Sequence, residues 1–190
     1  QYKGRLQEAA QRGGGKPVDQ VRLRSPLPAP VMTCMAVNYM ENGTRSEPAP
    51  INSFMKAPHT VIGTGDTMIL PDIPATVFEG EAELALVFGK AGVNIKEADA
   101  MPYIFGYVNF IDCSARGMTP YWQMKSRTTC APIGPFLVTA DEIADPNQLQ
   151  VKLWVNDQLR HDIPTADMAR HVPELLAGGQ REVVLVGRQP

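Results

Sequence analysis

The sequence has little cysteine: 3 in 190 residues, at Cys34, Cys113 and Cys130. An odd number at wide spacing argues against a disulfide framework and against a CxxC zinc or redox site. Reduced thiols in the core of a cytosolic protein are the expected reading. No apolar run approaches the roughly 18 residues that a membrane-spanning helix requires, and no signal-type segment opens the chain. An excess of one charge is missing too. The 18 Lys and Arg stand against 20 Asp and Glu, a net charge of −2 with no long run of either sign. Neither the basic footprint of a nucleic-acid binder nor a polybasic membrane patch is indicated. His59, His161 and His171 are scattered, and there is no HExxH, no nucleotide-binding glycine loop and no GxSxG. The peptidase, nucleotide-binding and hydrolase signatures that those motifs mark are therefore absent.

What is present is turn chemistry and short alternating runs. The 17 prolines fit many turns better than long helices. Residues 2–11 have helical character and stop at "RGGGKP". "VRLRSPLPAP" reads as an edge strand or extended linker, and "VMTCMAVNY" as a strand buried on both faces. The polar loop "MENGTRSEPAPIN" follows. "SFMK", "HTVIGTGDTMILP", "VFEGEAELALVFGK", "YIFGYVNFIDC", "GPFLVTA" and "LQVKLWVNDQLRHD" read as strands, the last as a hairpin turning at Asn156 and Asp157. Short helices are expected in "NIKEADAMPYI", capped by Asn94, in "ADEIADPNQ", and in "TADMARHVPELLA", capped by Thr165. The fold class is α+β and β-dominated, with a mixed sheet.

The run from Val77 to Lys90 carries the chemistry. Alternation places Glu79, Glu81 and Glu83 on one face, which ends apolar at Ala85 and Val87. Like charges spaced roughly 7 Å apart repel, and two explanations compete. A solvated edge screens the repulsion; a hard divalent cation turns it into coordination. The first is the commoner. Against it, Glu83 enters the buried end of the strand, where a carboxylate needs a partner, and no nearby cation precedes Lys90. Asp112 ends an aromatic run and reads equally as a turn cap. Lys125, in "QMKSRTTCAPIGPF", reads alone as a surface lysine.

In order, the segments "CMAVNY", "FMKAPHTVIGTGDTMILP", "EGEAELALVFGK", "ADAMPYIFGYVNFIDCSAR", "KSRTTCAPIGPFLVTADEI" and "LWVNDQLRHD" resemble the fumarylacetoacetate hydrolase family over roughly residues 26–176. The resemblance implies a mixed β-sandwich roll, usually a homodimer, that holds Mg²⁺ or Mn²⁺, with Ca²⁺ as an alternative. Residues 1–25 are then an N-terminal helix and linker, and residues 26–190 a catalytic domain with an atypical end. The family's metal ligands match Glu81, Glu83 and Asp112, and its active-site lysine matches Lys125. Glu79 replaces a frequent Asp upstream of the ligands. Arg116 matches the arginine of the S-A-R motif and, with Arg45 and Asn42, is assigned to substrate binding. A surface ion pair is the commoner role for any one arginine.

Such a site implies a small 2-oxo acid substrate, chelated through its carboxylate and 2-oxo oxygens, with an enolate stabilised as a bond to C3 breaks. Hydrolytic C–C cleavage of an acylpyruvate is expected first on family frequency. Decarboxylation or isomerisation of an oxaloacetate-like acid comes second, and a non-catalytic metal- or ligand-binding relative third. Family hydrolases carry N-Y-x-x-H-x-x-E, whereas here the loop is "NYMENGTRSE". Asn42 holds the His position and Arg45 the Glu position, and neither serves as a general base at neutral pH. Gly117 stands where the family has Asp, and the terminal "GGQREVVLVGRQP" lacks the usual T-G-T-P loop.

Overall fold

The computed structural model describes residues 3–28, 30–40 and 43–179. In chain order its elements are α1 (Lys3–Arg12), β1 (Met32–Ala36), β2 (Asn52–Lys56), β3 (Val61–Ile62), β4 (Val77–Phe88), β5 (Ile104–Arg116), α2 (Tyr121–Lys125), β6 (Ala131–Pro132), β7 (Val138–Thr139), β8 (Gln150–Val155), β9 (Gln158–Pro164) and α3 (Val172–Gly179). Short 3₁₀ turns join several of them. The fold is α+β and dominated by strands.

β4 and β5 form the spine, because their sequences keep period-2 alternation longest. They pair antiparallel from Val77↔Arg116 to Phe88↔Ile104, with an irregularity at Val87/Phe88. β7 adds to the far edge of β5. There Gly106 is required: a Cβ would lie 2.3 Å from the Val138 carbonyl oxygen. β1–β2 and β8–β9 are antiparallel pairs, and β3–β6 is parallel. A bond from Ile133 N to Ile62 O extends the β3–β6 pair, and one from Gly134 N to Asn109 O ties it to β5.

The two faces of the spine bury different clusters. Leu84, Leu86, Phe88 and Tyr107 face Ile95, Ala100, Ile104, Val172 and Leu176. Ala85, Val87, Val108 and Phe110 face Cys34, Ala131 and Ile133. Glu79, Glu81 and Glu83 share the face of Ala85 and Val87, so the acidic row runs directly into the second cluster.

Several expectations are corrected. "VMTCMAVNY" forms β1 but is not buried on both faces: only Cys34 of that strand is buried, and flanking Val31 and Val37 are exposed. Its single described partner is β2, which leaves one edge without a ladder. Asn94 does not cap a helix; it takes φ +52°, a left-handed turn, and two 3₁₀ turns follow at Glu97–Asp99 and Met101–Tyr103. Proline interruption keeps such segments short. "ADEIADPNQ" likewise gives only the 3₁₀ turns Ala140–Glu142 and Pro146–Gln148. Thr165 begins another 3₁₀ turn, and α3 starts later, where Val172 N donates to Asn147 Oδ1 at 3.0 Å. The hairpin turn at Asn156 and Asp157 is as expected, with φ +50° and +63°. Asn42 and the segment "REVVLVG" lie outside the described residues.

Candidate metal centre

The β4–β5 register assembles the site. Glu81 lies directly opposite Asp112, Glu83 opposite Phe110 and Glu79 opposite Ser114. Directly opposed side chains share a face, so two strands place the acidic side chains together. Asp112 is therefore a mid-strand residue; β5 continues to Arg116, which excludes the turn-cap reading. Single carboxylate oxygens of Glu81, Glu83 and Asp112 all lie within 4.8 Å of one another.

Asp112 is 1% exposed and carries a lysine on each oxygen. Lys56 Nζ donates to Oδ1 at 2.6 Å and Lys125 Nζ to Oδ2 at 2.5 Å. Both ammonium groups are nearly removed from solvent, with side-chain exposures of 0% and 4%. Lys56 also donates to the Cys113 carbonyl at 3.0 Å. Lys125 also donates to both oxygens of Glu81, at 3.1 and 3.2 Å, and stands 4.8 Å from the centroid of the Phe54 ring. Burial pushes the Lys125 ammonium toward deprotonation, but hydrogen bonds and charge from Asp112 and Glu81 hold its pKa above the ordinary value. It remains a cation.

Ser126 sets the two lysines side by side. Its hydroxyl accepts from Ala57 N at 3.2 Å and donates to Met55 O at 2.9 Å, bracketing Lys56 from the residue after Lys125. Glu81 is further positioned by Ser114 Oγ at 2.6 Å and by Arg116 Nη2 at 2.7 Å. Arg116 Nε binds Glu79 at 2.5 Å, so this arginine bridges the outer and the middle carboxylate. Glu79 is exposed and outside the acidic triad.

Glu83 is the exception. Among the described residues its carboxylate accepts no side-chain hydrogen bond. Burial, then the charges of Asp112 and Glu81, push its pKa up to about 8, against the opposing pull of Lys125 and Lys56. Tyr39, pushed up to about 12 by burial and by Glu83 and Asp167, lies within electrostatic reach of the same carboxylate. A hard-oxygen donor set with one carboxylate that accepts no described side-chain hydrogen bond fits a divalent cation of the Mg²⁺, Mn²⁺ or Ca²⁺ type. Three carboxylates face two ammonium groups and the Arg116 guanidinium, so a bound divalent ion leaves the pocket net positive.

The structure thus brings together Glu81, Glu83, Asp112, Lys125 and Arg116. Arg45 is described, with its backbone N bonded to Met40 O, while the place of Asn42 is not. Sequence reasoning missed Lys56, Ser114 and Ser126. The available signal for Lys56 was a lysine closing the apolar alternation of "SFMK", a position whose side chain turns inward.

A two-stranded acidic centre with buried lysines, set in a strand-dominated fold, offers a donor set for a divalent cation. The chain belongs to the fumarylacetoacetate hydrolase family: residues 32–186 match the family model described as "Fumarylacetoacetate (FAA) hydrolase C-terminal". It is 34% identical over 170 residues to oxaloacetate tautomerase YisK of Bacillus subtilis (strain 168), covering 84% of this chain and 56% of that protein. It is 33% identical over 160 residues to an Escherichia coli homoprotocatechuate catabolism bifunctional isomerase/decarboxylase, covering 80% and 37%. Its fold matches a maleylpyruvate hydrolase from Sphingobium sp. SYK-6, solved with manganese(II) and pyruvate. That match has TM-score 0.86 and 31% identity, and covers 97% of this chain and 67% of the other. The chain spans about half or less of the length of these two curated relatives. Among the described residues, no helix is long and apolar enough to cross a membrane.

Proposed function

We propose that this chain is the catalytic domain of a divalent-metal-dependent enzyme acting on a small 2-oxo acid of the oxaloacetate or acylpyruvate type through its enolate. The observation that carries the reading is the triad of Glu81, Glu83 and Asp112 within 4.8 Å, beside a buried ammonium. Mg²⁺ or Mn²⁺, when bound by these carboxylates, supplies Lewis-acid polarisation of the substrate's 2-oxo group.

The remaining chemistry belongs to side chains. Lys125 offers a desolvated positive charge to oxyanion charge developing on the substrate. Lys56 holds Asp112 from behind through Oδ1. Arg116, partly exposed at the outer end of the carboxylate row, offers its guanidinium to a second carboxylate of a diacid. The positive charge of the pocket with a divalent metal bound favours an anionic substrate.

Proton transfer or loss of CO₂ stands ahead of hydrolysis here. Asn42 and Arg45 replace the family's water-activating pair, and neither reaction requires an activated water. Similarity to an oxaloacetate tautomerase and to an isomerase/decarboxylase supports this order. The likeness to a maleylpyruvate hydrolase favours hydrolytic C–C cleavage as the second reading. A cytoplasmic homodimer is the expected form.

The test is a panel assay with Mn²⁺. Accelerated enol–keto interconversion of oxaloacetate indicates tautomerisation. Pyruvate plus CO₂ indicates decarboxylation, and pyruvate plus a carboxylic acid from an acylpyruvate indicates hydrolysis. Silence on all three, with metal bound, overturns the enzymatic reading and leaves a metal- or ligand-binding relative.

A further inference from the structure

The three hydrogen bonds of Lys125 all end on carboxylate oxygens of the candidate metal centre, two on Glu81 and one on Asp112. Lys56 differs. It takes the other oxygen of Asp112 and a backbone carbonyl, and makes no described bond to Glu81 or Glu83. The supports of the two lysines differ as well. Lys56 closes a paired strand, opposite Met32, and its flanking backbone is bracketed by Ser126. Lys125 ends a five-residue helix that begins with partly solvated aromatics, Tyr121 and Trp122.

We propose that Lys125 is an internal stand-in cation: its ammonium holds the carboxylates in place until a divalent metal displaces it, while Lys56 stays fixed on Asp112. This rests on the metal reading above and adds the order of events at the site. Asp112 has two oxygens, and each already carries an ammonium. Coordination through Oδ2 sets a divalent cation beside the Lys125 ammonium, and the two like charges repel across the shared Asp112 and Glu81 oxygens. One contact that the ammonium already makes needs no carboxylate. The face of Phe54 lies 4.8 Å from Nζ, and that ring is itself held by stacking on Tyr121 at 5.8 Å. One lysine thus holds the carboxylates together before the metal binds and later serves the reaction.

The experiment compares Mn²⁺ binding to the wild-type chain, Lys125→Met and Glu81→Gln by calorimetry. Removing a competing cation next to the site is expected to tighten Mn²⁺ binding of Lys125→Met by about tenfold or more, while Glu81→Gln loses binding. Equal or weaker binding by a folded Lys125→Met, with wild-type binding intact, overturns the displacement and leaves the metal site standing. No binding by the wild-type chain overturns the metal reading, and the displacement with it. Should Lys125→Met fail to fold, side-chain ¹⁵Nζ spectra of the wild-type chain decide. Addition of Mg²⁺ is expected to shift the Lys125 signal, identified with Lys125→Arg, and leave that of Lys56. A shift of Lys56 with Lys125 unmoved overturns the proposal.

Discussion

Replacing Lys56 by Met removes a buried charge with little change of length or packing volume. The lysine side chain is 0% exposed, and the substitution deletes its bonds to Asp112 Oδ1 at 2.6 Å and to the Cys113 carbonyl at 3.0 Å. Stranding one member of a buried ion pair costs about 3–5 kcal/mol. Asp112 keeps Lys125 on its other oxygen, and one ammonium no longer has to be desolvated, so the lower end applies: about 3 kcal/mol. For a chain of this size each kcal/mol moves the midpoint by about 2–4 °C, giving a fall of roughly 6–12 °C. Thermal unfolding in a metal chelator, followed by circular dichroism, measures it. The double variant Lys56→Met with Asp112→Asn is expected to lose at least about 1 kcal/mol less than the two single losses added together. An unchanged or raised midpoint for Lys56→Met, or strict additivity in the cycle, refutes the claim that Lys56 neutralises Asp112.

Ser126→Ala loses the hydroxyl that links Met55 O and Ala57 N, and is expected to lower stability by about 1–2 kcal/mol, read by denaturant titration. Glu83 holds its proton to about 8 in the folded metal-free chain, against an ordinary 4.5. The folded state therefore binds the extra proton, and metal-free stability falls as pH rises through that window; Glu83→Gln flattens the fall. Because the metal requires the carboxylate form, Mn²⁺ affinity rises by up to about tenfold per pH unit below that value and levels above it. Calorimetry at several pH values checks this, and a flat profile contradicts it. Asn42→His combined with Arg45→Glu restores the family's water-activating pair, and acylpyruvate hydrolysis is expected to rise by at least about tenfold. No change in the pyruvate release assay places the loop elsewhere.

The acidic half of the site was legible because its spacing is local. Period-2 alternation over Val77–Phe88 fixes the face of Glu79, Glu81 and Glu83, and the antiparallel register then brings in Asp112. Of the cationic half, Lys125 and Arg116 came only through the family resemblance, and Lys56 not at all. Lys56 is 56 residues from Asp112, and Lys125, though 13 from Asp112, is 44 from Glu81, so spacing alone does not pair the lysines with the carboxylates. A lone lysine is ordinarily a surface residue, and only the approach of β2 and α2 shows otherwise. The short helices misread for a related reason. The start of α3 is bonded from another segment, by Asn147 to Val172 N, and proline holds several others to one 3₁₀ turn. The Asn156–Asp157 hairpin was legible because two adjacent residues tolerant of left-handed backbone determine it.

The most direct test of the metal centre is anomalous scattering from a crystal grown with Mn²⁺. The account predicts one strong peak with an oxygen of Glu81, Glu83 and Asp112 each at coordination distance, about 2.0–2.6 Å. No peak between the three carboxylates, or a peak bound elsewhere while they remain paired only with lysine and arginine, contradicts it.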